Sequence, residues 1–317
     1  MIYTNKSGLE FSKISLGTAE FGSIISKETS FRLLDKFYEL GGNLIDTARI
    51  YAMWIKGGEN ASETTIGKWV KSRKARSLIR IATKGGYHKV GSKYSGGLEK
   101  EIITRELEES LRCLQTDYVD IYYLHRDDES KPVSEIMTML NNLIKEGKVR
   151  YLGASNWTAK RIAEANIFAK ANGMVGFSFS EIMWSYAELN AEGESDKSLV
   201  IMNPDEYEWY KNNDVNLMCF SSQAQGFYSM AVKNGIDNLP EHYIAKYKNA
   251  TNLERIETAR RISKETGISP TALGLVHLFK SKDIDAIPIV GGFNMEFLED
   301  SLMSIKTPEK YYEELLK

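Results

Sequence analysis

The sequence predicts an α/β fold, a (β/α)8 TIM barrel formed by residues 1–317 as a single domain. Apolar, β-rich runs alternate with amphipathic helical patterns eight times, and no Pro/Gly/Ser-rich linker divides the chain. A barrel of this type commonly reaches such a length as one unit. A doubly wound open sheet is the rival fold. It usually carries GxGxxG after its first strand, and SLGTAEFGS lacks that motif.

A short β-hairpin is predicted first, over IYTNKSGLEFSKI, ahead of the eight barrel strands. The strand runs are apolar or alternate with a period of two, and Gly, Asp or Ser bounds them. In order they are SLGTAEF (15–21), LIDTA (44–48), LIRIATK (78–84), YVDIYYLH (118–125), VRYLGAS (149–155), FSFSEIMW (177–184), NLMCFSS (216–222) and DAIPIVG (285–291).

Helical patterns fill the intervals, and local signals mark some of their ends. Ser134 and Ser269-Pro270 are predicted helix starts, whereas Gly147 and Gly173 are predicted stops. Two segments, 85–99 and 223–250, follow strands and are predicted to be long surface loops on the C-terminal face. Loops of this length in a compact domain are often lids or binding loops.

The composition argues against several classes of protein. Lys and Arg total 41 against 43 Asp and Glu, a net charge of −2, which disfavours a nucleic-acid or anionic-membrane partner. Cys113 and Cys219 are the only cysteines, so no disulfide framework is implied and a reducing cytoplasm is expected. MIYTNKSGLEF lacks the basic and then apolar pattern of a signal peptide, and no apolar run reaches membrane-spanning length, so a soluble, cytosolic protein is expected. Four scattered histidines with no HxH pair disfavour a metal-dependent hydrolase.

Four polar residues lie at or just after the ends of three successive predicted strands: Asp46, Tyr51, Lys84 and His125. In a parallel barrel these ends share one face, and adjacent strands are about 4.8 Å apart, so the side chains are expected to converge. Tyrosine, with a pKa near 10, is a poor acid at neutral pH. An ammonium about 4 Å away is expected to lower that pKa by roughly two units. Tyr51 is then predicted to protonate a carbonyl oxygen, with Asp46 keeping Lys84 charged and a neutral His125 orienting the substrate or relaying the proton.

Five segments resemble, in the same order, the signature segments of the aldo-keto reductases: GGNLIDTARIYA, IATKGG, YYLHRDD, LGASNWTAKRI and IPIVGGFNMEFLEDSL. The resemblance covers nearly the whole chain. It implies NAD(P)H-dependent reduction of an aldehyde or ketone, including a sugar or another polyhydroxylated carbonyl, or the reverse oxidation. It also implies that Tyr51 is the proton donor, Lys84 and Asp46 tune its pKa, and His125 orients the substrate.

The same resemblance implies cofactor contacts. Ser155 and Asn156 match the pair that binds the nicotinamide carboxamide, although they are also predicted to cap the following helix. Trp184 matches the aromatic residue on which the nicotinamide stacks. The remaining matches are Ser221 and Gln223, in the segment along the pyrophosphate and ribose, and Gly291 and Gly292, in the C-terminal cofactor segment.

Two departures from the family pattern concern the cofactor. Glu181 occupies the position of a glutamine that usually contacts the carboxamide. As a carboxylate it would favour the oxidised ring, unless it is paired with a local cation. The places where NADPH-preferring members carry Arg or Lys hold Gly291, Phe293 and Phe297, and no cation lies between Lys282 and Lys306. The cofactor is therefore predicted as NADP or NAD, with NADPH the family default and NADH open.

Two other functions compete with the reductase. One is a cofactor-binding regulatory or scaffold subunit with vestigial activity, as in the family's potassium-channel partners. The other is a Schiff-base lyase using Lys84, which Asp46 opposes by keeping the lysine charged.

The substrate is expected to be a small carbonyl compound or alcohol, and no oligomeric state is indicated. The residues predicted to shape its pocket include Trp54 and Trp157, as flat walls for a sugar or an aromatic ring. Arg126 would hold an anionic or polyhydroxylated group, or form a structural salt bridge. Phe21, Tyr87 and the 223–250 loop complete the set.

Overall fold

The computed structural model describes residues 2–4, 9–87, 97–281, 283–291 and 294–317. The strands are β1 (Ile2–Thr4), β2 (Glu10–Ser12), β3 (Ser15–Gly17), β4 (Leu44–Asp46), β5 (Arg80–Gly85), β6 (Val119–Leu124), β7 (Val149–Ser155), β8 (Phe177–Met183), β9 (Asn216–Phe220) and β10 (Ile287–Gly291). Strands β3 to β9 follow one another around a closed parallel barrel, and β10 joins β9 to β3. The predicted (β/α)8 barrel is confirmed. Seven of the eight predicted runs contain a whole barrel strand, and β5 extends one residue beyond the remaining run, 78–84.

Helices separate the barrel strands, as the alternating pattern predicts. They are α1 (Lys27–Glu39), α2 (Ala61–Arg73), α3 (Lys100–Leu114), α4 (Val133–Lys145), α5 (Ala159–Ala171), α6 (Pro204–Asn212), α7 (Phe227–Asn234), α8 (Glu241–Tyr247), α9 (Ala250–Thr266), α10 (Pro270–Phe279), α11 (Met295–Met303) and α12 (Tyr312–Leu315). Short 3-10 turns cover Ala224–Gly226, Ile236–Asn238, Ser304–Lys306 and Glu309–Tyr311. No helix in the described part of the chain has the length and apolar character needed to cross a bilayer.

The N-terminal hairpin covers the end of the barrel where the strands begin. Strands β1 and β2 pair in antiparallel fashion, as predicted. Phe11 is fully buried and packs against Phe179 inside the barrel, with ring centroids 5.9 Å apart. The backbone nitrogen of Ser12 donates to Oδ1 of Asn43, the residue that precedes β4, at 2.6 Å. The hairpin therefore closes the barrel floor and leaves the opposite face for the site.

The segment 223–250 was predicted to be a surface loop, and that prediction is wrong. It contains α7 and α8, which form a second hydrophobic cluster on the barrel. Phe227, Tyr228 and Ala231 face this cluster because the spacing i, i+1, i+4 places them on one side of a helix. The other predicted loop, 85–99, lies largely outside the described residues, which omit 88–96.

The predicted helix ends are correct with one adjustment. Ser269 caps α10 with its side chain. Helix α4 begins at Val133, one residue before Ser134, with Pro132 at its cap. Gly147 and Gly173 follow the ends of α4 and α5 with φ of 73° and 64°, a left-handed conformation that glycine adopts without steric cost.

Candidate active site

Lys84 lies at the centre of a buried polar cluster that contains Asp46 and Tyr51. Its Nζ donates to Oδ1 of Asp46 at 2.5 Å and to the Tyr51 hydroxyl oxygen at 3.0 Å. The Tyr51 hydroxyl in turn donates to Oδ2 of Asp46 at 3.2 Å. The ring of His125 lies 6.1 Å from the ring of Tyr51, in an edge-on arrangement. All four residues predicted from the strand ends are thus brought together.

Strand pairing explains why these side chains meet. Asp46 ends β4 opposite Ala82 of β5, and Lys84 lies two residues further along β5, on the same face of the strand. Beyond β4 the chain continues to pair with β5: the backbone nitrogens of Thr47 and Arg49 donate to the carbonyl oxygens of Ala82 and Lys84, at 2.9 and 3.0 Å. This pairing brings the following loop, with Tyr51, over the lysine.

Glu181 of β8 is a further partner of Lys84. Its Oε1 lies 3.3 Å from Lys84 Nζ, and its Oε2 has no hydrogen-bond partner among the described residues. Burial, followed by the charge of Asp46, raises the pKa of Glu181 to about 8, although Lys84 opposes the shift. The structure thus supplies the local cation that the sequence left open. It also contradicts the picture of Glu181 as a carboxylate at neutral pH, because a pKa near 8 keeps it protonated there.

The expected lowering of the Tyr51 pKa is wrong. Burial raises the pKa of Tyr51, Asp46 raises it further, and the opposing effect of Lys84 is smaller than these two together. Tyr51 is therefore a fully protonated phenol at neutral pH.

Lys84 shows the opposite balance. Burial lowers the pKa of Lys84, but Asp46, Glu181 and Tyr51 outweigh burial, so the pKa is raised. A charged lysine cannot attack a carbonyl carbon, which argues against the Schiff-base lyase.

His125 is a neutral imidazole, as predicted. Burial lowers its pKa well below the usual value, and the charges of Lys84 and Arg126 lower it further. Its Nδ1 is buried and has no hydrogen-bond partner among the described residues. The ring lies 5.2 Å from that of Tyr87. A buried polar nitrogen without a partner beside a phenol is suited to bind an oxygen of a ligand.

A cavity of about 470 Å³ opens beside Asp46 and Tyr51. Its wall also includes Phe220, Gln223 and Asp300. Three residues predicted to bind the cofactor lie in this wall, namely Ser221, Gln223 and Gly291, and so does Phe21, predicted to shape the substrate pocket. Gly292 and Phe293 lie outside the described residues.

The backbone along the cavity is strained. Ser221, Ala224 and Gln225 have φ of 51°, 46° and 56°, and Gly226 follows at 82°. Side-chain-bearing residues rarely adopt this conformation, and such strain concentrates at ligand sites. Successive backbone N–H groups in such turns form concavities that bind anions. The chemistry of this segment is compatible with an anionic group of a ligand, and the position of the cofactor's pyrophosphate along it stays a prediction.

Two acidic residues in the cavity wall were missed by the sequence analysis. Oε2 of Glu20 has no hydrogen-bond partner among the described residues, and burial raises the pKa of Glu20. Asp300 accepts a hydrogen bond from Ser269 Oγ at 2.5 Å. The described residues of the wall include no Lys or Arg. Asp300 belongs to the segment GGFNMEFLED, which carries acidic residues but no Lys or Arg.

Ser155 and Asn156 lie next to His125 and do not belong to the described wall of the cavity. The Asn156 amide donates to Ser155 Oγ at 3.1 Å and accepts from the backbone nitrogen of Val200 at 3.2 Å. The predicted capping role is wrong, because Thr158 caps α5. The cofactor contact of this pair stays a prediction.

The three tryptophans near the site differ in their surroundings. Trp184 packs edge-on against Tyr207 and His277, with ring centroids 6.0 and 5.6 Å away, so its stacking on a nicotinamide stays a prediction. Trp157 is fully buried against Phe177 and is not a pocket wall, contrary to expectation. The side chain of Trp54 is half-exposed, and its ring centroid lies 6.5 Å from that of Tyr51, where the indole can contact a ligand.

Comparison with known proteins shows which family and which relatives this chain resembles. The profile described as "Aldo/keto reductase family" matches residues 13–315. Norsolorinic acid reductase of Aspergillus flavus is 38% identical over 59% of the chain, and the match spans half of that protein's length. The putative aryl-alcohol dehydrogenase AAD14 of Saccharomyces cerevisiae is 33% identical over 98% of the chain and 84% of its own. "Aryl-alcohol dehydrogenase [NADP(+)]" of Phanerodontia chrysosporium is 29% identical over 94% of the chain and 79% of its own.

Proposed function

Since this chain belongs to the aldo/keto reductase family and is an NAD(P)-dependent oxidoreductase, we propose that it interconverts aryl aldehydes or ketones with the corresponding alcohols. The observation that carries the proposal is the hydroxyl of Tyr51, held by Lys84 and Asp46 beside the cavity. The names of two relatives support the aryl class of substrate. The aromatic rings of Tyr51, Trp54 and Tyr87 offer surfaces against which an aryl group can pack.

Tyr51 acts as the proton donor in reduction. Its hydroxyl hydrogen turns from Asp46 to the carbonyl oxygen of the substrate, while the ammonium of Lys84 remains 3.0 Å from the phenol oxygen and stabilises the phenolate as it forms. Asp46 anchors the lysine, and the neutral imidazole of His125 orients the substrate oxygen. When bound, the nicotinamide dinucleotide supplies the hydride that reduces the carbonyl carbon.

Within this function, NAD(H) is the preferred cofactor. The cavity wall carries two acids, Glu20 and Asp300, and its described residues offer no cation to a 2′-phosphate. Phe297 and Gly291 stand where a phosphate-binding cation would be expected. A carboxylate can accept a hydrogen bond from a ribose hydroxyl but repels a phosphate. The proposal differs here from the name of the Phanerodontia relative, which specifies NADP(+).

Cofactor preference is tested by direct binding. Quenching of intrinsic fluorescence gives Kd for NADH and NADPH, and NADH is expected to bind at least tenfold more tightly. Phe297→Arg, which adds a cation to the wall, should tighten NADPH binding by roughly tenfold, as one charge-assisted hydrogen bond allows. Phe297→Leu is the matched control and should leave both constants within twofold. Tighter binding of NADPH by the unaltered chain would refute the preference.

The reaction is tested with Tyr51→Phe, which removes only the hydroxyl. Reduction of benzaldehyde, followed by nicotinamide absorbance, should fall by at least a thousandfold, whereas the Kd of the reduced cofactor should stay within threefold. Full activity of Tyr51→Phe would refute the role of the tyrosine. Tight cofactor binding by the unaltered chain, with no turnover of any aryl aldehyde or alcohol, would instead support the regulatory or scaffold subunit.

A further inference from the structure

Arg126 places a buried guanidinium directly after the site histidine. Its Nε donates to Ser198 Oγ at 3.2 Å, and its Nη1 donates to the backbone oxygen of His125 at 2.9 Å. Its Cζ lies 5.2 Å from the centroid of the Tyr87 ring. The residue is 7% exposed. Each of these contacts is to an uncharged group.

The charge of Arg126 has no direct counterpart. No carboxylate of a described residue lies within 4.0 Å of the guanidinium. Ser198 connects it to Asp196, because the Ser198 hydroxyl donates to Asp196 Oδ1 at 2.7 Å. Burial lowers the pKa of Arg126, while Tyr87 and Asp196 raise it. Burying a guanidinium without a paired anion costs free energy. Three other shielded guanidinium groups have such partners: Arg49 with Glu109, Arg76 with Asp120 and Arg161 with Asp127.

The position of Arg126 near the candidate active site indicates that the substrate can supply the anion that the guanidinium lacks. The ring of His125 lies 5.2 Å from that of Tyr87 and 6.1 Å from that of Tyr51. Through its contact with Tyr87, Arg126 is thus connected by two neighbouring rings, those of Tyr87 and His125, to the phenol that protonates the substrate. Its Nη2 donates no hydrogen bond to any residue in the described part of the chain. An aryl substrate with its carbonyl at Tyr51 can present a substituent to that nitrogen.

We propose that Arg126 forms a carboxylate subsite and that the substrates are aryl aldehydes or ketones that carry a carboxylate on the ring; this rests on the proposed function. The anion completes the charge balance that the protein leaves open and adds a charge-assisted hydrogen bond at Nη2. A polyhydroxylated substrate supplies oxygen acceptors but no charge, so it leaves the guanidinium uncompensated. Since hydrogen bonds to charged groups are worth roughly 10- to 100-fold in affinity, the preference for a carboxylate should fall in that range.

The test compares two substrates of nearly equal shape. The ratio of kcat/KM for 4-carboxybenzaldehyde to that for 4-carbamoylbenzaldehyde should be at least ten in the unaltered chain, with the difference residing in KM. Arg126→Gln should bring the ratio to about one, and Arg126→Lys, which keeps the charge, should retain part of it. Arg161→Gln removes a guanidinium that is paired with Asp127, and it should leave the ratio unchanged. Xylose tests the polyhydroxylated alternative.

A ratio near one in the unaltered chain, an unchanged ratio in Arg126→Gln, or higher kcat/KM for xylose would overturn the subsite. A binding measurement separates this result from a failure of the reductase function. Calorimetric titration of the protein with 4-carboxybenzyl alcohol and with 4-carbamoylbenzyl alcohol requires no turnover. Tighter binding of the acid, lost in Arg126→Gln, supports the subsite even if neither aldehyde is reduced, and equal binding of the two alcohols refutes it.

Discussion

At Lys84 one buried ammonium is shared by the carboxyl groups of Asp46 and Glu181, at 2.5 and 3.3 Å. With Glu181 protonated, the three groups together carry no net charge. Ionising Glu181 adds an uncompensated negative charge in a buried place, which is why its pKa is raised to about 8. The proton on Glu181 is therefore a consequence of burial beside Asp46, which the charge of Lys84 only partly offsets.

The ionisation of Glu181 should make the reaction depend on pH, and Glu181→Gln should remove that dependence. Glu181 is protonated below pH 8 and ionised above it, and its negative charge raises the pKa of Tyr51. A phenol with a higher pKa is a weaker proton donor, so kcat for carbonyl reduction should fall by roughly threefold to tenfold above pH 8. In Glu181→Gln that fall should be absent, as measured by kcat from pH 6 to 10.

Several other titratable groups face Glu181, and their effects on the pH dependence must be distinguished from that of Glu181. Asp46, Lys84, Tyr51, Tyr123 and Cys219 all exchange charge effects with it. Burial raises the pKa values of Tyr123 and Cys219 well above their usual ranges, so neither group titrates near pH 8. Glu206→Gln, which alters a buried acid elsewhere, should keep the fall in kcat. The same fall in Glu181→Gln would contradict the assignment to Glu181.

The residue types of the site were predictable from the sequence, but their electrostatics were not. Asp46, Tyr51, Lys84 and His125 were predicted because strand ends meet on one face of a parallel barrel. The sign of the Tyr51 pKa shift was missed because it depends on burial, which strengthens the effect of Asp46 as well as that of Lys84. Glu181 was singled out as unusual, yet its contact with Lys84 crosses the barrel from β8 to β5. No local pattern reports such a contact.

At the scale of elements, the hydroxyl of Ser269 links helices α10 and α11 through hydrogen bonds. Ser269 Oγ accepts from the backbone nitrogen of Ala272, capping α10 at 3.1 Å, and donates to Asp300 of α11 at 2.5 Å. Nearly every residue of α10 is buried, since the helix packs against both the barrel and its neighbours. The hydroxyl thus stabilises a helix end and also fixes an acid in the cavity wall.

Ser269→Ala should lower the free energy of unfolding by about 1–2 kcal/mol, the usual cost of losing an N-cap. Denaturant unfolding followed by circular dichroism measures this loss. Ser269→Thr keeps the hydroxyl and should lose less than half as much. Equal stability of Ser269→Ala and the unaltered chain would show that water replaces the cap.

The elements themselves show which sequence signals are reliable. Strand runs such as YVDIYYLH predicted β6 within two residues because a fully buried strand is apolar along its length. The helices in 223–250 were missed because they are short, and Gly226 and Gly235 interrupt the periodicity. The left-handed residues Ala224 and Gln225 carry no composition signal, since neither is a glycine.

At the scale of the whole molecule, the two ends of the barrel have different tasks. The face where strands end carries Tyr51, Lys84, His125 and the cavity, whereas the hairpin β1–β2 covers the face where strands begin. Barrel enzymes commonly place function on the first face and stability on the second. The distance between the two faces makes the two properties separable by mutation.

Phe11→Ala tests this separation. The ring is fully buried among barrel-interior side chains, including Phe179 and Ile287, and removing it leaves a cavity in the floor. The free energy of unfolding should fall by about 3–5 kcal/mol, while Phe11→Leu, which keeps most of the volume, should lose about 1.5 kcal/mol or less. Because Phe11 packs at the end of the barrel where strands begin, opposite to Tyr51 and Lys84, kcat/KM per folded molecule should stay within twofold at a temperature where both variants are folded. If kcat/KM instead fell in step with stability, the floor of the barrel would be coupled to the site at its other end.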